Sequence, residues 1–417
     1  MAPNVLGNTI ILTEACIEKS DDNNNSQKIS CNKSKSSLNQ TINNNHQNGI
    51  ILNKTSNHNG QADNSSKTLE IPGKLKVKNF VWRNIIAFIY LHTAALYGLY
   101  LAITSAKIIT FLFAYVLAVF GGLGITAGAH RLWAHKSYKA KWPLRLFLML
   151  CQTLAFQNSI YEWVRDHRVH HKFTDTNADP HNAKRGFFFS HIGWLMLRKH
   201  PDVKNKGSTI DMTDLESDAF VMFQKKYYLI MMPIITFIIP TMTGCYVLGD
   251  SLKNSWYVVA IFRYTISLNF TWLVNSYAHI WGTKPYDKSI SPTNTKLVGI
   301  LAIGEGWHNY HHVFPWDYKT AEVQTYTTNW TLYFINLWAK WGLAYDLKTV
   351  SEEIIQKRVL RTGDGSHPCT TENDVQQKLL DYINSAAEND EHLWGWDDKD
   401  MTEADKLDAQ ILNQKNV

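Results

Sequence analysis

The chain has 417 residues, a formal net charge of +6 and 12% aromatic residues, including fifteen tryptophans. That length allows two or three domains. Its five cysteines (16, 31, 151, 245 and 369) are odd in number, far apart and without a CxxC pair, which excludes a disulfide scaffold and a zinc ribbon.

Residues 1–66 carry fifteen asparagines, in runs such as DDNNNSQ and INNNHQNG, and few clustered apolar side chains. A segment of this kind cannot bury enough apolar surface to offset its ordering entropy, so residues 1–70 read as a disordered tail. Its first twenty residues lack the basic and apolar regions of a signal peptide. Four glycosylation sequons (NKS 32–34, NQT 39–41, NKT 53–55 and NSS 64–66) are expected to stay unmodified if the tail is cytosolic.

The core runs near 76–360. A bilayer needs about 20 mostly apolar residues per helix, and four stretches approach this: 85–105, 108–128, 227–248 and 256–278. His92, Arg263 and Asn269 interrupt them, which suits helices packed around a polar interior. The expectation is an all-α integral membrane protein with four transmembrane helices. Short connections pair the first helix with the second and the third with the fourth. The intervening stretch 130–226 carries sixteen Lys and Arg, so it and both termini are expected in the cytosol. Membrane lipid, and no nucleic acid, is the implied surface partner. The end, 366–417, is polar and acidic (ENDEHLWGWDDKDMTEADKLDAQ) and is expected to be a loosely attached tail.

Three histidine clusters face that same compartment: HRLWAH (130–135), HRVHH (167–171) and HNYHH (308–312). Helical positions i, i+3 and i+4 share a face, so His167, His170 and His171 point one way, as do His308, His311 and His312. His130 and His135 are five apart, which a regular helix would splay by about 140°; a bend after AGA would let both converge. His279, one turn after Asn275, ends the fourth helix and is a ninth candidate. Neutral imidazole suits Zn, Cu, Ni and Fe. A closed structural zinc site takes four ligands, usually with Cys, whereas eight or nine imidazoles suffice for two metal ions with room for substrate. Such a cytosolic helical cap carrying a histidine-rich metal pair at a membrane face points to oxygen activation. A non-enzymatic His-rich membrane metal-binding protein is the competing class; it predicts zinc and no oxygen consumption.

The segments GITAGAHRLWAH, FQNSIYEWVRDHRVHHKFTDTNADPHNAKRGFFFSHIGW, TWLVNSYAH and GEGWHNYHHVFPWDY resemble those of the animal membrane acyl-CoA desaturases, the stearoyl-CoA or delta-9 family. FPWDYKTAE and WGWDDKDMTEADKLD are most similar to the insect branch. Trp307 stands where Phe is usual, and the Asn-rich tail is not a family feature. The resemblance covers roughly 76–365. It implies two Fe2+ ions bound by His130, His135, His167, His170, His171, His279, His308, His311 and His312, with Asn275 reaching one iron through water. It implies further that His130, His135, His167, His171 and His312 hold one iron and His170, His279, His308 and His311 the other.

The implied reaction inserts a cis double bond, most often at carbon 9, into a long-chain saturated acyl-CoA with O2. Other positions such as carbon 11, and hydroxylation, share the scaffold. Coenzyme A phosphates call for Arg and Lys: Arg165 with Asp166, and Arg198 with Lys199, are the candidates. Their structural readings are an ion pair for the first two residues and lipid contact for the second two. Asn84, Asn158 and Trp272 match family contacts to the CoA arm and thioester. Asp175, Asp179 and His181 are expected to support the second His cluster by hydrogen bonding. Ala114 and Ala118, one turn apart on the second helix, are expected to set chain length. With no fused haem motif of the HPGG type, no GxGxxG and no flavin signature, electrons are expected from cytochrome b5 and its NADH-dependent reductase, in the endoplasmic reticulum membrane.

Overall fold

The computed structural model describes residues 79–322, 328–370, 392–407 and 409–415, so the Asn-rich segment lies outside the described residues. Among the described residues, four helical spans are long and apolar enough to cross a membrane: Trp82–Thr104, Ile108–Ala134, Ala219–Val247 and Leu252–Ile280. Helix α1 is Trp82–Thr104, and α2 (Ile108–Leu123) continues as a π-helix over Gly124–Ala134, beyond the predicted end at 128. The third span begins earlier than predicted, with α5 (Ala219–Pro233), because Asp218 caps it through the Phe220 amide at 3.0 Å. The fourth contains α6 (Arg263–Asn275) and opens at Ser251, whose hydroxyl accepts from the Asn254 amide at 3.0 Å.

The two hairpin turns meet at one end of the bundle. Asp250 accepts from the Lys107 amide at 2.9 Å and from the Thr110 hydroxyl at 2.6 Å, and Lys107 Nζ donates to the Gly249 carbonyl at 2.6 Å. A helix of 27 residues reaches about 40 Å, so α2 delivers its histidines to the opposite end. The polar interruptions face inward as expected. Asn269 bridges His92 and His191 at 3.2 Å each, and Arg263 donates to the Val259 and Thr236 carbonyls at 2.8 and 3.0 Å.

The further helices are α3 (Trp142–Ala155), which packs along α2 with Ala155 against Gly121, α4 (Ile160–Lys172), α7 (His308–Val313), α8 (Trp330–Lys340) and α9 (Glu352–Thr362). Helix α4 is capped by Ser159, whose hydroxyl accepts from the Glu162 amide and donates to the Glu162 carboxylate, both at 3.3 Å. A core of Trp133, Tyr138, Leu144, Leu148, Leu215, Leu332 and Ile335 ties α3 and α8 beneath the end of α2. Among the described residues the only sheets are two antiparallel pairs, β1 (Lys139–Ala140) with β2 (Ala344–Tyr345), and β3 (Leu347–Val350) with β4 (Ala409–Leu412).

The C-terminal segment departs from the expectation of loose attachment. Besides the β3–β4 pairing, Trp394 and Met401 are 4% and 6% exposed. The segment's polar average conceals these few apolar anchors, and burying a Trp or Met side chain contributes roughly 1.5–3 kcal/mol.

Candidate metal centre

The π-helix resolves how His130 and His135 converge. Its hydrogen bonds run i to i+5, so residues five apart lie one turn apart. The His135 amide donates to the His130 carbonyl at 3.0 Å, and the two rings lie 4.7 Å apart. Helix α4 brings His167 and His171 together on one face, with ring centroids 4.7 Å apart, and His170 beside them. The third cluster is held close by Gly306: a Cβ there would sit 2.1 Å from the Gly299 nitrogen, so only glycine permits the approach.

Nine imidazoles gather in two groups, each with its nitrogens within 4.8 Å of one another: His130, His135, His167, His171 and His311 in one, and His170, His279, His308 and His312 in the other. This corrects the partition that the resemblance implies, in which His311 and His312 are exchanged. The reason is helical: on α7, positions four apart lie about 40° apart around the axis and neighbours about 100°. His312 therefore joins His308, Nε2 to Nε2 at 3.1 Å, while His311 turns to His130 and His171 at 2.9 and 3.1 Å.

Three of the outward nitrogens are hydrogen-bonded and a fourth faces a carboxylate. Glu305 stands 3.0 Å from His130 Nδ1, Asp179 3.0 Å from His170 Nδ1 and Ser291 3.1 Å from His279 Nδ1, and the Trp394 carbonyl accepts from His135 Nδ1. With their protons held outward, the His135, His130 and His279 rings turn Nε2 lone pairs inward, where they face other Nε2 atoms at 2.8, 2.9 and 3.0 Å. Buried lone pairs in such contact repel unless a cation lies among them, so the donor set fits metal ions. Burial, then the neighbouring imidazoles, holds His135, His167, His171, His308, His311 and His312 well below the usual imidazole range. Neutral imidazole is the ligating form.

Asp179 also accepts from the His181 amide at 3.1 Å and the Asp175 amide at 3.0 Å. Burial alone would raise its carboxyl, but His170 and His181 hold it well below the ordinary carboxylate range. Burial and His170 push His181 down to about 3. Asp175 braces the turn, accepting from the Ala183 amide at 3.2 Å. Three groups escaped the sequence reading, Ser291 beside His279 among them. Glu305 pairs with fully buried Arg131 at 2.8 Å while facing His130; its signal was the acid three residues before His308. Trp394 had no local signal, since 259 residues separate it from His135.

A cavity of about 450 Å³ opens from this centre into the bundle, lined by His130, His167, His170, His308, Asn275, Ala114 and Ala118 among others. Asn275, Ala114 and Ala118 thus share one cavity wall with the histidine cluster. Trp272 does not line it; it is 4% exposed, edge-on to Phe88 and His191 at 5.6 and 5.7 Å. The basic candidates gather near one another. Arg165 contacts Asp166 at 3.2 Å, Lys199 also contacts Asp166, and Arg198 and Lys199 line a small surface pocket that Arg165 and Asp166 do not. Asn84 donates to the Leu195 carbonyl at 2.8 Å, tying α1 to this region, and exposed Asn158 accepts from Gln152 at 2.8 Å.

The fatty acid desaturase family model matches residues 106–329. Over 357 residues the chain is 58% identical to an acyl-CoA Delta-9 desaturase of Acheta domesticus, covering 86% of this chain and 92% of that one. It is 54% identical to an acyl-CoA Delta12-desaturase of the same species, covering 84% and 90%. It is also 54% identical to the stearoyl-CoA desaturase of Homo sapiens, covering 69% and 80%. Four apolar spans, a buried histidine cluster and this similarity place the chain in the fatty acid desaturase family.

Proposed function

We propose that this chain inserts a cis double bond at carbon 9 of a long-chain saturated acyl-CoA, in the endoplasmic reticulum membrane with both termini cytosolic. The observation that carries the reading is a cluster of nine imidazoles, four of which line an apolar cavity. The residues His130, His135, His167, His171 and His311 would hold one iron, and His170, His279, His308 and His312 the other, with Asn275 reaching one of them through water. A bound iron pair supplies oxygen activation and removal of hydrogen from an unactivated methylene.

The remaining work belongs to the chain. Acyl-CoA, O2, two electrons and two protons give enoyl-CoA and two waters. Loss of the second hydrogen rather than hydroxylation requires the acyl chain to be held in one orientation, which an apolar-lined cavity favours. Arg198 and Lys199 suit CoA phosphates at the surface, while Asp166 holds Lys199 and Arg165 in place. Asn84, Asn158 and Trp272 would position the arm and its thioester, Trp272 from behind the cavity wall. Cytochrome b5, reduced by its NADH-dependent reductase, would deliver electrons to the basic face.

The 58% identity to a Delta-9 enzyme favours carbon 9; the 54% identity to a Delta12 enzyme keeps that position as the second reading. Expression in a desaturase-deficient yeast, with double bonds mapped by mass spectrometry, tests both. Carbon-9 monoenes are the expected product. Double bonds at carbon 11 or 12 would overturn the regiochemistry, and hydroxy acids alone, or no new lipid, would overturn desaturation.

A further inference from the structure

We infer that Trp394-Gly395-Trp396 is a positioning clip for His135, and thereby for the first nitrogen group; this rests on the metal-binding reading above. His135 lies just past the last π-helical residue, Ala134, and the next residue, Lys136, has φ 53°, so the helix ends where the ring must be aimed. The clip grips His135 twice. The Trp394 carbonyl, which can only accept, takes the Nδ1 proton and so leaves the Nε2 lone pair facing His167 Nε2 at 2.8 Å. The Trp396 amide donates to the His135 carbonyl at 3.0 Å. Gly395 makes the double grip possible: its φ is +152°, and a Cβ would lie 2.6 Å from the His135 oxygen and 2.7 Å from its Cα.

The clip is itself anchored to both ligand-bearing helices. The Arg168 guanidinium lies 4.0 Å from the centroid of the Trp394 ring, and Arg168 donates to the Trp133 and Ala134 carbonyls at 2.8 and 3.1 Å. Asp398 accepts from the Trp394 amide at 2.8 Å and pairs with Lys172 of α4 at 2.9 Å, while Asp397 pairs with Lys136 at 2.7 Å. A segment outside the family-model match at 106–329 thus completes the surroundings of one ligand. An outer partner of this kind orients a ligating imidazole and sets its basicity.

The test uses full-length protein purified in detergent and loaded with 57Fe. Iron content, release to a ferrous chelator, Mössbauer spectrum and melting temperature are compared across variants. Gly395→Val is expected to release one of two irons about tenfold faster and to alter one iron environment while sparing the other. Trp394→Ala should move the same way, and Trp394→Phe, which keeps a ring over Arg168, should return release to the parental rate. A chain ending at Leu407, lacking β4 but keeping the clip, should release iron like the parent. If Gly395→Val does not fold, the Trp394→Ala and Trp394→Phe pair decides. Parental release in the clip variants, or equal disturbance of both irons, overturns the clip alone. A parent that binds no iron overturns the metal reading and the clip with it.

Discussion

Glu305 joins two charged systems, and removing it should separate them. One carboxylate oxygen faces His130 Nδ1 at 3.0 Å and the other meets Arg131 at 2.8 Å. Arg131 is fully buried, and its other acceptors are the neutral Tyr318 and Lys319 carbonyls and the Asn329 side-chain oxygen, at 2.9, 3.2 and 3.3 Å. Glu305→Ala therefore strands a buried cation, which costs about 3–5 kcal/mol of stability, read as a lower melting temperature of the metal-free protein. It also frees the His130 ring, so iron should be held about 10–100-fold more weakly. The double variant Arg131→Met with Glu305→Met separates the two effects. Replacing both partners by apolar groups should recover most of the stability, whereas the weakened hold on iron should persist because His130 still lacks its carboxylate. Iron release at the parental rate in Glu305→Ala would refute the idea that this carboxylate orients a ligand.

Two further perturbations probe the cavity and the C-terminal sheet. Ala118→Tyr narrows the cavity and should shift products of the expressed enzyme toward shorter acyl chains; an unchanged product profile would remove this residue from the chain-length determinants. Ala114 is the poorer place for that test, because it also packs against Val258 and Val259, where overpacking costs about 1–3 kcal/mol. In β3, burial pushes the Lys348 ammonium down from 10.5 to about 8. The unfolded chain then binds a proton that the native chain lacks between pH 8 and 10.5, so native stability rises with pH across that window. Relative to Lys348→Met, the parent should gain up to about 3 kcal/mol there and show a constant difference below pH 8; a flat difference throughout would contradict the burial argument.

The four spans and nine histidines were legible because each depends on local pattern. Apolar runs near bilayer length identify α1, α2, α5 and α6, and i, i+3, i+4 spacing identifies the imidazole faces on α4 and α7. Span ends were less legible. Capping by Asp218 starts α5 at Ala219, so the polar stretch Gln224–Lys225–Lys226 falls inside the helix, ahead of its long apolar run, and a π-helix carries α2 past its apolar part. The His130–His135 spacing of five held the clue to that π-helix, since only a wider turn brings such residues into register.

What sequence could not reveal is which surroundings fix each ring, because those partners come from elsewhere in the chain. Ser291 reaches His279 across 12 residues, Glu305 reaches Arg131 across 174, and Trp394 reaches His135 across 259. No periodicity encodes such a pairing. The exchange of His311 and His312 has the same origin: both are ligand candidates by type and spacing, and only the direction each takes around α7 assigns it to a group. Membership of a polyhistidine centre is therefore a property of short motifs. The orientation of its members depends on the tertiary fold, including a C-terminal segment whose composition alone suggests a solvated tail.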